Sequence, residues 1–311
     1  MSMPTNLAEK RTAARGAGRT ARGGAGPRVS FEFFPPKTDK AGASLEEAIR
    51  GLAPLAPQFM TVTYGAGGST QSVTRQWVDR VAELGGTPVG HHLTCVGATR
   101  AEIDALARSL WNDGIRHIVA LRGDPPQGTT RYEPHPDGYA FAADLVEGLR
   151  RVADFEISVG AYPEVHPEAA SAAADMDNLK RKLDAGATRA ITQYFFDVET
   201  FLRFRDRAHA AGITKEIVPG IIPVTNIESL IRFSEACGAT VPRWLTDLFD
   251  GLQEDPETRQ MIAASVAIEQ CTRLQAEGAD SFHFYTLNRA NVTRAVCHAL
   301  GVRASADKVA A

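Results

Sequence analysis

The chain has 311 residues, 44% hydrophobic and 23% charged, with a formal net charge of -3. That balance excludes a surface devoted to nucleic acid or anionic membrane, and no apolar run approaches the roughly 20 residues that span a bilayer. The four cysteines, Cys95, Cys237, Cys271 and Cys297, form no C-x-x-C pair and no Cys/His zinc spacing, so free thiols in a reducing cytoplasm and no bound metal are expected.

Residues 1–27 hold Lys10, Arg11, Arg15, Arg19 and Arg22 against a single acid, Glu9. They lack an apolar core and the hydrophobic stretch of a signal peptide, so a disordered tail is expected, with an organellar address or a basic arm as rival readings. The first strand is predicted at 29–34, where Glu32 sits among Phe31, Phe33 and Phe34 before Pro35-Pro36. Burial raises a carboxyl pKa, so this strand marks Glu32 as a candidate general acid; a structural Glu with a buried partner is the plainer alternative.

Further strands are predicted at 59–64, 88–94, 116–122, 156–161, 189–195, 216–222 and 281–285. Helical patterns lie near 44–53, 71–84, 99–112, 138–152, 168–185, 198–211, 226–237, 256–277 and 289–300. Eight strands alternating with helices predict one α/β domain, a (β/α)₈ TIM barrel over 28–302, with residues 303–311 as a C-terminal tail. No G-x-G-x-x-G follows the first strand, which counts against a dinucleotide-binding Rossmann domain. Residues 223–280 are too long for one helix and predict an extra helical insertion between strands seven and eight. Within it, 241–244 and 249–252 read as turns.

Barrel active sites gather at the C-terminal strand ends, and the polar residues of this chain fall there repeatedly. Strand two ends Thr61-Val62-Thr63-Tyr64-Gly65, and strand three ends His91-His92-Leu93-Thr94-Cys95. Strand four ends Arg122-Gly123-Asp124, and strand five runs into Tyr162-Pro163-Glu164-Val165-His166. Strand six ends Gln193-Tyr194, and strand eight reads His283-Phe284-Tyr285-Thr286-Leu287-Asn288-Arg289. Each ending alone is a weak signal, but together they ring one predicted mouth. After strand five, the spacing of Asp175, Asn178 and Lys182 puts them on one helix face with Arg181 nearby. Cations there suit a phosphate, and Asp and Asn suit ribose hydroxyls; a solvated helix face is the alternative.

The blocks Ser30–Pro36, Thr61–Ala66, His92–Cys95, Leu121–Asp124, Ala161–Ala169, Asn178–Lys182 and Phe282–Arg289 resemble, in order, those of the methylenetetrahydrofolate reductase family. The similarity covers about residues 29–302. It implies a barrel with noncovalent FAD that reduces 5,10-methylenetetrahydrofolate to 5-methyltetrahydrofolate, with NADH or NADPH as co-substrate in a ping-pong cycle that supplies methionine synthesis. It also implies a homo-oligomer.

By the same resemblance, Glu32 protonates folate N10 and Asp124 contacts the pterin and tunes the flavin. Gln193, Phe233, Tyr285 and Arg289 match substrate contacts. Thr63, His92, Arg122, Gly123, Asp124, Phe141, Ala142, Tyr162, His166, Asp175, Asn178, Arg181 and Lys182 match FAD contacts. The segment 125–139 is longer than in the relatives and carries Tyr132, His135 and Tyr139, while Ser229 stands where some relatives have Gln. A chain ending soon after Val302 is expected to lack the S-adenosylmethionine-binding region of eukaryotic members. Another flavin barrel enzyme and a silent folate- or flavin-binding protein are the competing readings.

Overall fold

The computed structural model describes residues 26–63, 71–125 and 132–304. Residues 1–25 of the expected tail 1–27, the strand-two ending from Tyr64 onward and residues 305–311 of the expected C-terminal tail lie outside the described residues. The strands are β1 (Arg28–Phe33), β2 (Met60–Val62), β3 (Val89–Thr94), β4 (His117–Leu121), β5 (Glu156–Ala161), β6 (Arg189–Thr192), β7 (Glu216–Val218), β8 (Gly220–Ile221) and β9 (Ser281–Tyr285). All pair in parallel, in the order β7-β6-β5-β4-β3-β2-β1-β9-β8.

This is the expected barrel with one difference. The predicted seventh strand is two strands, β7 on β6 and β8 on β9. Pro219 separates them, and proline brings no N–H to a ladder. The ends still meet: His283 N–H donates to Pro219 O at 3.0 Å, and Gly220 N–H donates to Thr192 Oγ1 at 2.9 Å.

The helices are α1 (Asp39–Leu52), α2 (Gln71–Gly85), α3 (Arg100–Asn112), α4 (Ala142–Val152), α5 (Ala172–Asp184), α6 (Val198–Ala210), α7 (Ile227–Cys237), α8 (Arg243–Phe249), α9 (Pro256–Ala276) and α10 (Asn291–Ala299). Helix α1 starts five residues before its predicted position because Thr38 Oγ1 caps Ala41 N–H at 3.2 Å. Helix α8 replaces predicted turns. Its Leu245 and Phe249, four apart, are both buried, and that one-face burial stabilises a short helix after Pro242. Helices α7, α8 and α9 together fill the span between β8 and β9.

Strand alternation sorts the side chains into two layers. Phe31 and Phe33 are fully buried in the outer core with Leu45, Ile49 and Leu52 of α1. Ser30 and Glu32 point the other way, into the barrel. The expectation of an acid among three phenylalanines is thereby corrected, since Phe31 and Phe33 occupy the opposite face and Phe34 is 44% exposed. Deeper inside, Phe59 stacks on His117 at 4.9 Å and clusters with Ile191 and Val218. Polar contacts line the N-terminal end of the barrel: Arg28 to Glu216 at 2.6 Å, Arg189 to Glu156 at 2.8 Å and Ser281 to Glu216 at 2.5 Å. No helix among the described residues is long and apolar enough to cross a membrane.

Candidate active site

Register brings the first polar group together. Glu32 lies opposite Thr61 on β2 and Tyr285 on β9, and Ser30 lies opposite His283. Glu32 Oε2 is 3.3 Å from His283 Nε2 and 3.4 Å from His92 Nε2. The other nitrogen of His283, Nδ1, is 2.8 Å from Ser30 Oγ. One imidazole therefore bridges two side chains of a single strand face. The approach of His92 is looser: its Nε2 is buried, 3.4 Å from Glu32 Oε2, and makes no well-formed hydrogen bond among the described residues.

The protonation state of Glu32 differs from the expectation. Burial pushes its pKa up, but the hydrogen bond from His283 and the approach and charge of His92 outweigh burial and hold the carboxyl at about 2. Glu32 is thus a carboxylate in the resting site. The proton for any acid step must be shared with the histidine beside it. Neither His283 nor Ser30 was singled out as a site residue from sequence. The available signal was the two-residue spacing of Ser30 with Glu32 and of His283 with Tyr285, which gives each pair one face.

Tyr285 extends this layer. Its ring lies edge-on to His283 at 5.2 Å and to Tyr194 at 6.2 Å, and its hydroxyl donates to Thr192 O at 2.8 Å. Burial, followed by the Glu32 charge, holds its phenol well above the usual range. Tyr194 is buried, bonds Ser234 through its hydroxyl at 2.9 Å and stacks on Phe233 at 6.3 Å. Phe233 itself is 57% exposed, so an aromatic face is open at the mouth. Gln193, from the end of β6, lines a small pocket with Tyr162, Tyr194 and Cys237. Its Oε1 accepts from Tyr194 N–H at 3.0 Å. Ser229 N–H, at the start of α7, is taken by the cap residue Asn226 at 2.8 Å, and Arg289 is exposed beyond β9.

The second group surrounds the ends of β4 and β5. Arg122 makes two hydrogen bonds to Glu168, at 2.6 and 2.8 Å, and its guanidinium lies 4.7 Å from the centre of the Tyr132 ring. Gly123 has φ +89, and a Cβ there would sit 3.0 Å from Thr94 Cβ and Val96 Cγ2. Asp124 is exposed, three residues after the end of β4. Tyr162 is pushed up to about 12 by burial and then by the charges of Asp124 and Asp175. Its ring meets His166 edge-on at 4.6 Å. Asp175 Oδ2 accepts His166 N–H at 3.0 Å.

Helix α5 behaves less uniformly than its spacing suggested. Lys182 is buried and donates to Gly160 O at 2.6 Å; burial lowers it to about 8, partly offset by Asp175. Arg181 is exposed and donates to Asn178 Oδ1 at 3.4 Å. The outward cation of this face is therefore Arg181. Thr63 follows β2, its N–H bonded to Phe33 O at 2.8 Å. Phe141 is 53% exposed, 6.1 Å from the Tyr132 ring, and Ala142 is buried behind it.

The longer segment before α4 is fastened rather than loose where it is described. Tyr132 donates to Ala140 O at 2.7 Å and Tyr139 donates to Asp104 at 2.8 Å. Arg100 donates to Gly138 O at 3.0 Å. The sequence leaves the function of this loop open; in the structure its Tyr132 covers Arg122.

A family model described as methylenetetrahydrofolate reductase matches residues 20–301. The chain is 53% identical over 275 residues to the 5,10-methylenetetrahydrofolate reductase of Pectobacterium carotovorum, covering 88% of this chain and 90% of that one. It is 51% identical to the Escherichia coli protein of that name, with 88% and 91% covered. It is 35% identical over 291 residues to methylenetetrahydrofolate reductase (NADH) 1 of Zea mays, covering 90% of this chain and 48% of that one. Among solved structures, one from Clostridium thermocellum, described as binding two copies of 5-methyl-5,6,7,8-tetrahydrofolic acid, shares the fold. Its TM-score is 0.62 at 16% identity, over 95% of this chain and 98% of that one.

Proposed function

This chain belongs to the methylenetetrahydrofolate reductase family, and we propose that it reduces 5,10-methylenetetrahydrofolate to 5-methyltetrahydrofolate with NADH or NADPH through a noncovalently bound FAD. The observation that carries this reading is the Ser30–His283–Glu32 chain, an acid–base relay on the inner wall beneath the barrel mouth. Opening the folate ring needs a proton at N10, and a relay beside the substrate supplies one. A cytoplasmic homo-oligomer serving methionine synthesis belongs to the same reading.

The residues present fit a flavin. His92 Nε2 and Thr94 Oγ1 are buried with no hydrogen-bond partner among the described residues, and unsatisfied groups of this kind want a polar ligand. Both belong to β3, beside Gly123, whose missing Cβ lets its neighbours pack closely against the backbone. Thr63, His92, Arg122, Gly123, Asp124, Phe141, Ala142, Tyr162 and His166 would line the ring and its linker. Asp175, Asn178 and Arg181 would face the distal half, and Lys182 would stiffen the wall through Gly160. When bound, the flavin supplies reversible hydride storage between the two substrates.

The chain's own groups do the rest. Phe233, over Tyr194, offers a stacking surface to whichever planar substrate occupies the mouth. Gln193 offers an amide to the same space, and Arg289 an exposed cation to an anionic folate tail. Asp124 puts a negative charge where a cationic folate intermediate develops. His283, held by Ser30, hands its proton to the Glu32 carboxylate, which passes it to folate N10.

Anaerobic addition of NADH or NADPH to the yellow protein should bleach it, and methylenetetrahydrofolate should restore the colour. A colourless protein after FAD reconstitution would exclude a flavoenzyme. Bleaching without recovery would favour another flavin barrel enzyme, and colour unresponsive to either nucleotide would favour a silent binder.

A further inference from the structure

The turn after β9 grips the strand that carries Glu32. The β1–β9 register ends at Glu32 opposite Tyr285. Beyond it, Thr286 N–H and Thr286 Oγ1 both donate to Glu32 O, at 3.1 and 2.7 Å. Asn288 then treats Phe34 as a neighbouring strand would. Its Oδ1 accepts Phe34 N–H at 3.0 Å, and its Nδ2 donates to Phe34 O at 2.9 Å. Asn288 N–H closes the turn on Thr286 Oγ1 at 3.2 Å.

The geometry is costly to hold. Leu287 and Asn288 have φ 51 and 56, two consecutive residues in the left-handed region. Asn tolerates that region and Leu does not, so the turn persists because other contacts fix it. Asn288 is 8% exposed, which makes its two backbone bonds hard for water to replace. Meanwhile Glu32 Oε2 stands 3.3 Å from His283, near the outer limit for a hydrogen bond. A shift of a few tenths of an ångström in β1 breaks that contact.

We propose that Asn288 is a positioning residue for proton delivery. It fixes the exit of β1, with Thr286, so that the Glu32 carboxyl stays in reach of His283. The proposal rests on the reading of Glu32 as the proton donor. Asn288→Asp keeps the shape but removes the donor to Phe34 O, and Asn288→Gly accepts the left-handed turn but makes neither bond.

Both variants are studied as FAD-loaded full-length protein by anaerobic stopped flow, beside Glu32→Gln. Flavin reduction by NADH should stay within about twofold of wild type. Folate reduction should slow by about 10- to 100-fold, as expected for a displaced reacting group, with a changed pH profile. If Asn288→Asp fails to load FAD, Asn288→Gly carries the test. Equal slowing of both half-reactions, or an unchanged folate half-reaction with an unchanged pH profile, overturns the proposal; loss of FAD by both variants does so too, because the role is then structural. Folate reduction surviving in Glu32→Gln would instead remove the proton-donor reading beneath it.

Discussion

His283 Nε2 lies 3.3 Å from Glu32 Oε2 although the residues are 251 positions apart in the chain. The contact links stability to pH. The native pKa of Glu32, about 2, is below its ordinary 4.5, so the unfolded chain binds the proton more readily. The stabilisation is fully present above pH 4.5 and is lost as pH falls toward 2. Glu32→Gln should therefore lower the melting temperature at pH 7, with the difference shrinking between pH 4.5 and 2. A difference that stays constant over that range would mean the native carboxyl is not held ionised.

Asp124→Asn should raise the flavin reduction potential and weaken folate binding. A negative charge beside the flavin opposes the reduced anion, and its removal relieves that opposition. The charge of Asp124 already reaches Tyr162 and Cys237, raising both after burial has done so. Spectroelectrochemical titration of both proteins decides the matter. A lower or equal potential in the variant would put Asp124 out of range of the flavin.

Lys182 gives the opposite kind of pH dependence. Its native pKa, about 8, is below the ordinary 10.5 because the ammonium is buried. Between those values the unfolded chain holds the proton and the native chain releases it, so stability from this group rises with pH from 8 to 10.5. In Lys182→Met that rise should vanish from the melting-temperature profile of the FAD-free protein. The variant also removes the donor to Gly160 O, a cost of roughly 1–3 kcal/mol that offsets the relief of the buried charge at pH 7. Parallel profiles for the two proteins would argue that the ammonium is solvated.

Gly123→Ala tests the close packing at the end of β4. A left-handed residue other than Gly costs about 1–2 kcal/mol, and the new Cβ would press on Thr94 and Val96 at 3.0 Å. We expect a lower melting temperature and a weaker FAD complex, read from quenching of flavin fluorescence. Unchanged affinity would separate this turn from the cofactor site.

Much of the fold was legible in the sequence because strand and helix periods are local. Ser30 and Glu32 share a face by two-residue spacing, and so do Phe31 and Phe33; polar endings recur at each predicted strand end, and ordered blocks such as Leu121–Asp124 resemble one family. What periodicity cannot express is which partners meet across the barrel. The ionised state of Glu32 depends on His92 and His283 from β3 and β9. The burial of Lys182 depends on Gly160 of the strand beneath it. The clamp of Asn288 on Phe34 joins residues 254 positions apart. The interruption at Pro219 was visible as a residue, but its division of labour between β6 and β9 emerges only when the barrel closes. Local chemistry in the chain determined which side chains face inward, and closure of the sheet decided which of them touch, because hydrogen bonds and charge shifts act over a few ångströms of space whatever the separation in sequence.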